Sequence, residues 1–204
     1  MKLVWHGHSC FSVETGGYTV VFDPYADGSV PGCAPLRLTA DAVYCSHGHR
    51  DHNAADRVTL SGRSCPVAVE TLSCYHDDKL GLLRGKNTIH ILSAEGMRIA
   101  HLGDIGHMLK GAALQALSGL DALMIPVGGY FTIDAATAKR LVNALEPRVV
   151  LPMHYRLGEM GYDVIAELSD YTALCDNLRE YDTNAFELTA ETPAQTAVLR
   201  YCHG

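Results

Sequence analysis

The chain has 204 residues, 48% of them hydrophobic and 19% charged, a balance that suits one globular domain with a sizeable core and excludes a disordered chain. Its formal charge is −7 and its Lys and Arg residues are scattered, so it lacks the basic patch that non-specific nucleic-acid binding needs. No apolar run approaches the roughly 20 residues of a membrane span, and His6, Gly7 and His8 interrupt the N-terminal apolar stretch before it could form a signal-peptide core, which leaves the cytoplasm as the expected compartment.

The N-terminal third reads as strands. KLVWHG is a short apolar run, and CFSVETGGYTVVFDP places two runs around Gly16-Gly17, the pattern of a hairpin. Residues 26–36 are rich in Gly and Pro and read as a loop. DAVYCS, residues 41–46, is a further strand that runs straight into HGHRDH. A helical turn is expected between Asp51 and Leu60, and strands over 66–70 and 71–75, the second ending at His76. Residues 77–87, with Lys79, Arg84 and Lys86, form a loop that could meet an anionic substrate or simply be solvated. A second hairpin follows, 87–92 and 97–102, around Glu95-Gly96. It echoes the first: each ends in an aspartate, Asp23 and Asp104, which suggests two related halves.

In the remainder, Leu109, Ala113, Leu117 and Leu120 give residues 107–120 helical spacing. ALMIPV reads as a buried strand, Asp134 as the N-cap of a helix that Pro147 stops, and RVVLPMHY as a strand ending near His154. One or two helices are expected over 163–179 and closing strands over 186–188 and 197–201. No Pro/Ser linker divides the chain, so one domain is expected over 1–204. The seven cysteines are odd in number and include no CxxC pair, which favours reduced thiols over a disulfide framework.

The densest chemistry is SHGHRDH, residues 46–52. His47 and His49 flank Gly48 on a tight turn and can aim at one point; Asp51 and His52 begin the next turn and can aim at a second. Imidazole nitrogen and carboxylate oxygen are ligands of zinc and similar ions, so H-x-H-x-D-H after a strand points to a metal site and not to a solvated loop.

With WHGHSCF, VVFDPY, SHGHRDH, HLGD, PVGG and LPMHY in this order, nearly the whole chain resembles the metallo-β-lactamase-fold superfamily of metal-dependent hydrolases, and within it the small branch related to ascorbate-phosphate lactonases. The resemblance implies a four-layer αββα sandwich with two divalent ions at one edge: zinc first, with manganese or iron as alternatives. It implies that His47 and His49 bind the first ion, Asp51, His52 and His154 the second, and that Asp104 bridges them. The remaining first-ion ligand is assigned to His76, with His101 as the rival; on an extended strand positions 101 and 104 face opposite ways, which makes His101 a supporting residue. His8 is a candidate for substrate binding or proton donation, or a hydrogen-bonded core histidine, and Asp51 has a catalytic role beside its metal role. Asp23 is expected to orient a ligand, and Tyr130 either lines the pocket or packs on the surface.

The chemistry expected is hydrolysis of a small anionic ester, lactone or phosphoester by a hydroxide generated on the ions. The partner is therefore a small-molecule substrate, with neither nucleic acid nor membrane; the sequence leaves the oligomeric state open. The alternatives are a non-catalytic metal-binding or sensing module on the same fold, and a phosphodiesterase or nuclease.

Overall fold

The computed structural model describes residues 1–202. The first hairpin forms as its pattern requires: β1 (Lys2–Trp5), β2 (Phe11–Thr15) and β3 (Tyr18–Phe22) are antiparallel, with the turn at Gly16-Gly17. Two short strands follow, β4 (Leu38–Ala40) and β5 (Ala42–Tyr44), then a 3₁₀ turn at Ala55–Arg57 and β6 (Val58–Leu60). β7 (Ala68–Tyr75), β8 (Lys86–Ala94) and β9 (Met97–His101) are antiparallel neighbours. α1 (Gly111–Ala116), β10 (Ala122–Pro126), α2 (Ala135–Leu145), β11 (Val149–Met153), α3 (Leu168–Thr172), β12 (Leu178–Tyr181), β13 (Ala185–Glu187) and β14 (Gln195–Leu199) complete the chain.

The strands make a five-stranded sheet, β13-β1-β2-β3-β5, a seven-stranded sheet, β12-β14-β11-β10-β9-β8-β7, and a β4-β6 ribbon. One core lies between the two large sheets, where Trp5, Phe11, Val20 and Phe22 from the first meet Ile89, Ile99, Leu123 and Leu151 from the second. Adjacent residues of β3 must face opposite ways. Val20 and Phe22 accordingly enter this core, while Val21 joins a smaller cluster with Tyr25, Val30, Leu36 and Val58 on the outer face. α2 lays Ala138, Leu141 and Leu145 against the seven-stranded sheet. The αββα sandwich is therefore present, with its layer outside the five-stranded sheet built among the described residues from loop, β4-β6 ribbon and one 3₁₀ turn.

Local departures from the sequence reading have local causes. The two strands expected over 66–75 are one, because no Gly or Pro interrupts 68–75 and β8 pairs along all eight residues. The helix expected over 107–120 is confined to Gly111–Ala116; Lys110 offers no capping acceptor, and Gly119 adopts φ +68 just beyond it. Of 163–179 only Leu168–Thr172 is helical, and Leu178 and Arg179 enter a parallel strand beside β14. The turn expected before Leu60 ends early because Val58 and Thr59, both β-branched, pair with β4. Asp134 does cap α2, accepting from Thr137 N at 2.8 Å, and the chain leaves that helix through Glu146 just before Pro147.

Candidate metal centre

Strand ends deliver the polar residues to one edge of the sandwich. His8 lies between β1 and β2, Asp23 follows β3, His47 to His52 follow β5, His76 follows β7, Asp104 follows β9 and His154 follows β11. The echo between the hairpins is thus functional in placement, since each hands an aspartate to the same edge.

Three groups of ligand atoms converge there, each within 4.8 Å: His47, His49 and His76; His8, Asp51, His52 and His154; and His47, His52 and Asp104. Asp104 sits between the first two. Its Oδ2 is 3.2 Å from His52 Nε2, 3.2 Å from His154 Nε2, 3.3 Å from His76 Nε2 and 3.9 Å from His47 Nε2. The structure thus brings together every residue the sequence singled out as a ligand, and adds His8 to the second group. His8 Nε2 is 3.3 Å from Asp51 Oδ2, and its ring lies 4.1 Å from that of His154. His101 stands outside all three groups: its Nε2 is bonded to Ser9 O at 2.8 Å and its ring stacks on Phe22.

A layer of partners fixes these rings. Asp23 accepts from Ser46 N and Ser46 Oγ, both at 2.6 Å, and lies 2.8 Å from His52 Nδ1. Ser46 Oγ is in turn 2.9 Å from His47 Nδ1, so one buried carboxylate orients a ligand in each group. Asn87 Oδ1 accepts from Asp104 N at 2.9 Å and so fixes the bridging residue. Gly103, with φ +54, is required beside it, because a Cβ there would strike Ser46 and Asn87.

The backbone is strained where the ligands turn inward. His8, Asp23 and His154 have φ of 50, 46 and 54, a region that costs a non-glycine residue of order 1–3 kcal/mol. The His8 carbonyl accepts from Trp5 Nε1 at 3.0 Å and from His154 N at 3.3 Å, which ties two of these positions together.

Charge and burial point the same way. Burial lowers the His47 imidazole to about 3, with His52 adding to the effect against the pull of Asp104. Burial, then His154, lowers His8 to about 4. These rings are neutral at physiological pH, the form that ligates. Burial works to raise the Asp23 carboxyl, but His101 and His52 outweigh it and hold it at about 2. Asp104 is held well below the carboxylate range, since His154 and His52 outweigh its burial. His52 goes the other way: burial lowers it, and Asp104 and Asp23 on either side raise it well above the usual histidine value.

The donor set fits divalent ions. The Nε2 atoms of His47, His52 and His154, both ring nitrogens of His8 and Asp104 Oδ1 are buried without a hydrogen bond. An unsatisfied buried polar atom costs about 1–3 kcal/mol, and a divalent cation, which accepts nitrogen and oxygen lone pairs, would satisfy this cluster.

The sequence reading missed four residues here, Ser46 among them. Tyr162 donates to Ser29 O at 2.7 Å and places its hydroxyl 3.2 Å from Asp51 Oδ2. Phe131 packs its ring 6.5 Å from His154 and 5.7 Å from Tyr162. Asn87 was read only as a strand start. Ser46 carried a signal, since it opens the histidine motif; the other three carried none. Tyr130 is largely exposed and packs edge-on to Phe131.

A family model described as a β-lactamase superfamily domain matches residues 2–154. The chain belongs to the metallo-β-lactamase superfamily. A solved structure from Thermotoga maritima, assigned by name to the zinc-dependent hydrolases of this superfamily, is 30% identical with a TM-score of 0.77 and covers 97% of both chains. A UPF0173 metal-dependent hydrolase of Thermoplasma acidophilum is 27% identical over 89% of this chain and 93% of its own length. Another from Carboxydothermus hydrogenoformans is 27% identical over 83% and 91%. The family places this metallo-β-lactamase-fold protein among metal-dependent hydrolases, and its histidine-aspartate groups could hold a metal ion.

Proposed function

We propose that this protein is a dinuclear hydrolase of small anionic esters, lactones or phosphoesters. The observation that carries the proposal is Asp104, whose single oxygen Oδ2 lies 3.2–3.9 Å from four imidazoles drawn from both ligand groups. His47, His49 and His76 would hold one ion and Asp51, His52 and His154 the other, with Asp104 shared. Zinc suits this nitrogen-rich set, with manganese or iron as alternatives. When bound, such ions polarise a carbonyl or phosphoryl oxygen and bring the pKa of a bound water towards about 7.

The chain's own residues would do the rest. Asp51 presents a carboxylate flanked by His8 on one side and bonded by the Tyr162 hydroxyl on the other, which sets its direction before substrate arrives. His8, kept neutral by burial, places Nε2 3.3 Å from Asp51 Oδ2, where it can orient that carboxylate. Asp23 and Ser46 keep His52 and His47 in their ligating orientation. The seven cysteines are free thiols, which supports a reducing, cytoplasmic setting.

The test is a panel of aryl esters, lactones and phosphodiesters offered to protein reconstituted with zinc, manganese or iron. Turnover of at least one class is expected, abolished by chelator and by His47→Ala. Metal-loaded protein that turns over none of them would leave only a metal-binding module.

A further inference from the structure

The geometry points to Arg84 as the residue that selects an anionic substrate, by binding a carboxylate or phosphate carried outside the bond that is cleaved. The inference rests on the hydrolase reading above and names the specificity device of that same site.

Arg84 is mounted rigidly on a metal-ligand residue. Asp77, immediately after His76, is buried and accepts four backbone N–H groups: Lys79 at 2.8 Å and Gly81 at 2.9 Å on Oδ1, Leu83 at 3.0 Å and Arg84 at 2.8 Å on Oδ2. His76 N donates to Gly85 O at 3.0 Å and closes the loop. The loop is therefore a fixed bracket whose base is a ligand of the first group.

The guanidinium of Arg84 lies over Phe131, a ring that borders the second group. Its central carbon lies 5.6 Å from the centroid of Phe131, whose ring packs on His154 and Tyr162. Tyr162 in turn touches Asp51. The loop that follows His76 thus sets a cation against the aromatic ring that borders His154 and Tyr162.

The decisive feature is that this cation is otherwise unused. The other partly buried arginines are all occupied: Arg57 by Asp27 and Asp56, Arg98 by the carbonyls of Ala116 and Ser118, Arg148 by Asp121, and Arg156 by Glu167. Among the described residues Arg84 has a π contact but no ion pair and no side-chain hydrogen bond. A guanidinium fork offers five donors in one plane, matched to carboxylate or phosphate oxygens. The cation–π contact with Phe131 leaves every donor free. Lys79, by contrast, is exposed and paired with Asp78 at 3.0 Å.

Two 4-nitrophenyl esters separate this role from a structural one: the neutral butyrate and the succinate half-ester, in which a carboxylate replaces the terminal methyl of the acyl chain and the leaving group is unchanged. Arg84→Ala should lower kcat/KM for the half-ester about 10–100-fold, the value of charge-assisted hydrogen bonds to one anion. The butyrate should change less than about twofold, with metal content unaltered, and Arg84→Lys should recover part of the loss. Equal losses on both esters would overturn the assignment. If wild-type protein cleaves neither ester, ester hydrolysis fails separately, and calorimetric titration of metal-loaded protein with glutarate and with inorganic phosphate decides the matter. Weakening of either by tenfold or more in Arg84→Ala upholds the assignment and identifies the preferred anion, whereas unchanged binding of both overturns it.

Discussion

The two ligand groups are built differently. His47, His49 and His76 are all imidazoles on ordinary backbone, two of them contributed by one turn, and His49 is exposed. His8, Asp51, His52 and His154 come from three separate segments, include a carboxylate, and are buried apart from the partly exposed Asp51. Two of these four, and the Asp23 that orients a third, hold a left-handed backbone. Strain of this kind persists only where surrounding structure over-determines it. The contrast teaches that the first group opens to solvent chiefly through His49 on its turn, whereas the second is a piece of the core, with its backbone cost offset by the sandwich around it.

The largest perturbation should come from removing what the groups share. Asp104→Asn keeps the shape but takes away the charge facing four imidazoles, and it should lower hydrolytic turnover by more than about 100-fold, beyond the loss typical of supporting residues. Elemental analysis of the same variant should show fewer ions per chain than the parent.

A pair of truncations sharpens the contrast. His49→Ala should release the first ion and retain the second and, with both variants compared metal-free, leave thermal stability nearly unchanged, because its ring is exposed. His154→Ala should release the second ion and also lower the melting temperature, because it empties a buried position packed against His8 and Phe131. Equal stability of the two variants would erase the proposed difference.

A smaller effect lies outside both groups. The Asp41 carboxyl is lowered to about 2 by donors on Ser61, Arg63 and Thr19 N, which an uncharged amide with one acceptor oxygen would satisfy only in part. A depressed carboxyl stabilises the fold fully above its unfolded value near 4 and loses that contribution as pH falls through about 2. Asp41→Asn should therefore lower the urea midpoint at pH 7, with the two proteins converging near pH 2. Metal content should not change.

The contrast between the groups also explains what could be read from the sequence. His47, His49, Asp51 and His52 were legible because one turn carries them all, and Asp104 and His154 because each ends an apolar strand in a quoted motif. His76 was legible from its strand-end position. The incorporation of His8 into the second group was not, because the residues it meets are 43 to 146 positions away and nothing local encodes that approach. Tyr162 is invisible for the same reason: it meets Asp51 across 111 residues. In the fold, the long antiparallel strands were legible from alternation, whereas β4 and β6, three residues each, are too short to carry a period. The helices were over-read because apolar spacing alone does not supply the caps that α1 and α3 lack.

The central claim, that one carboxylate joins two metal sites, is tested most directly by counting ions. Protein without a tag, purified without chelator, should contain about two divalent ions per chain by elemental analysis. One ion per chain would show that only one group is a site, and none after reconstitution with zinc, manganese or iron would contradict the account altogether.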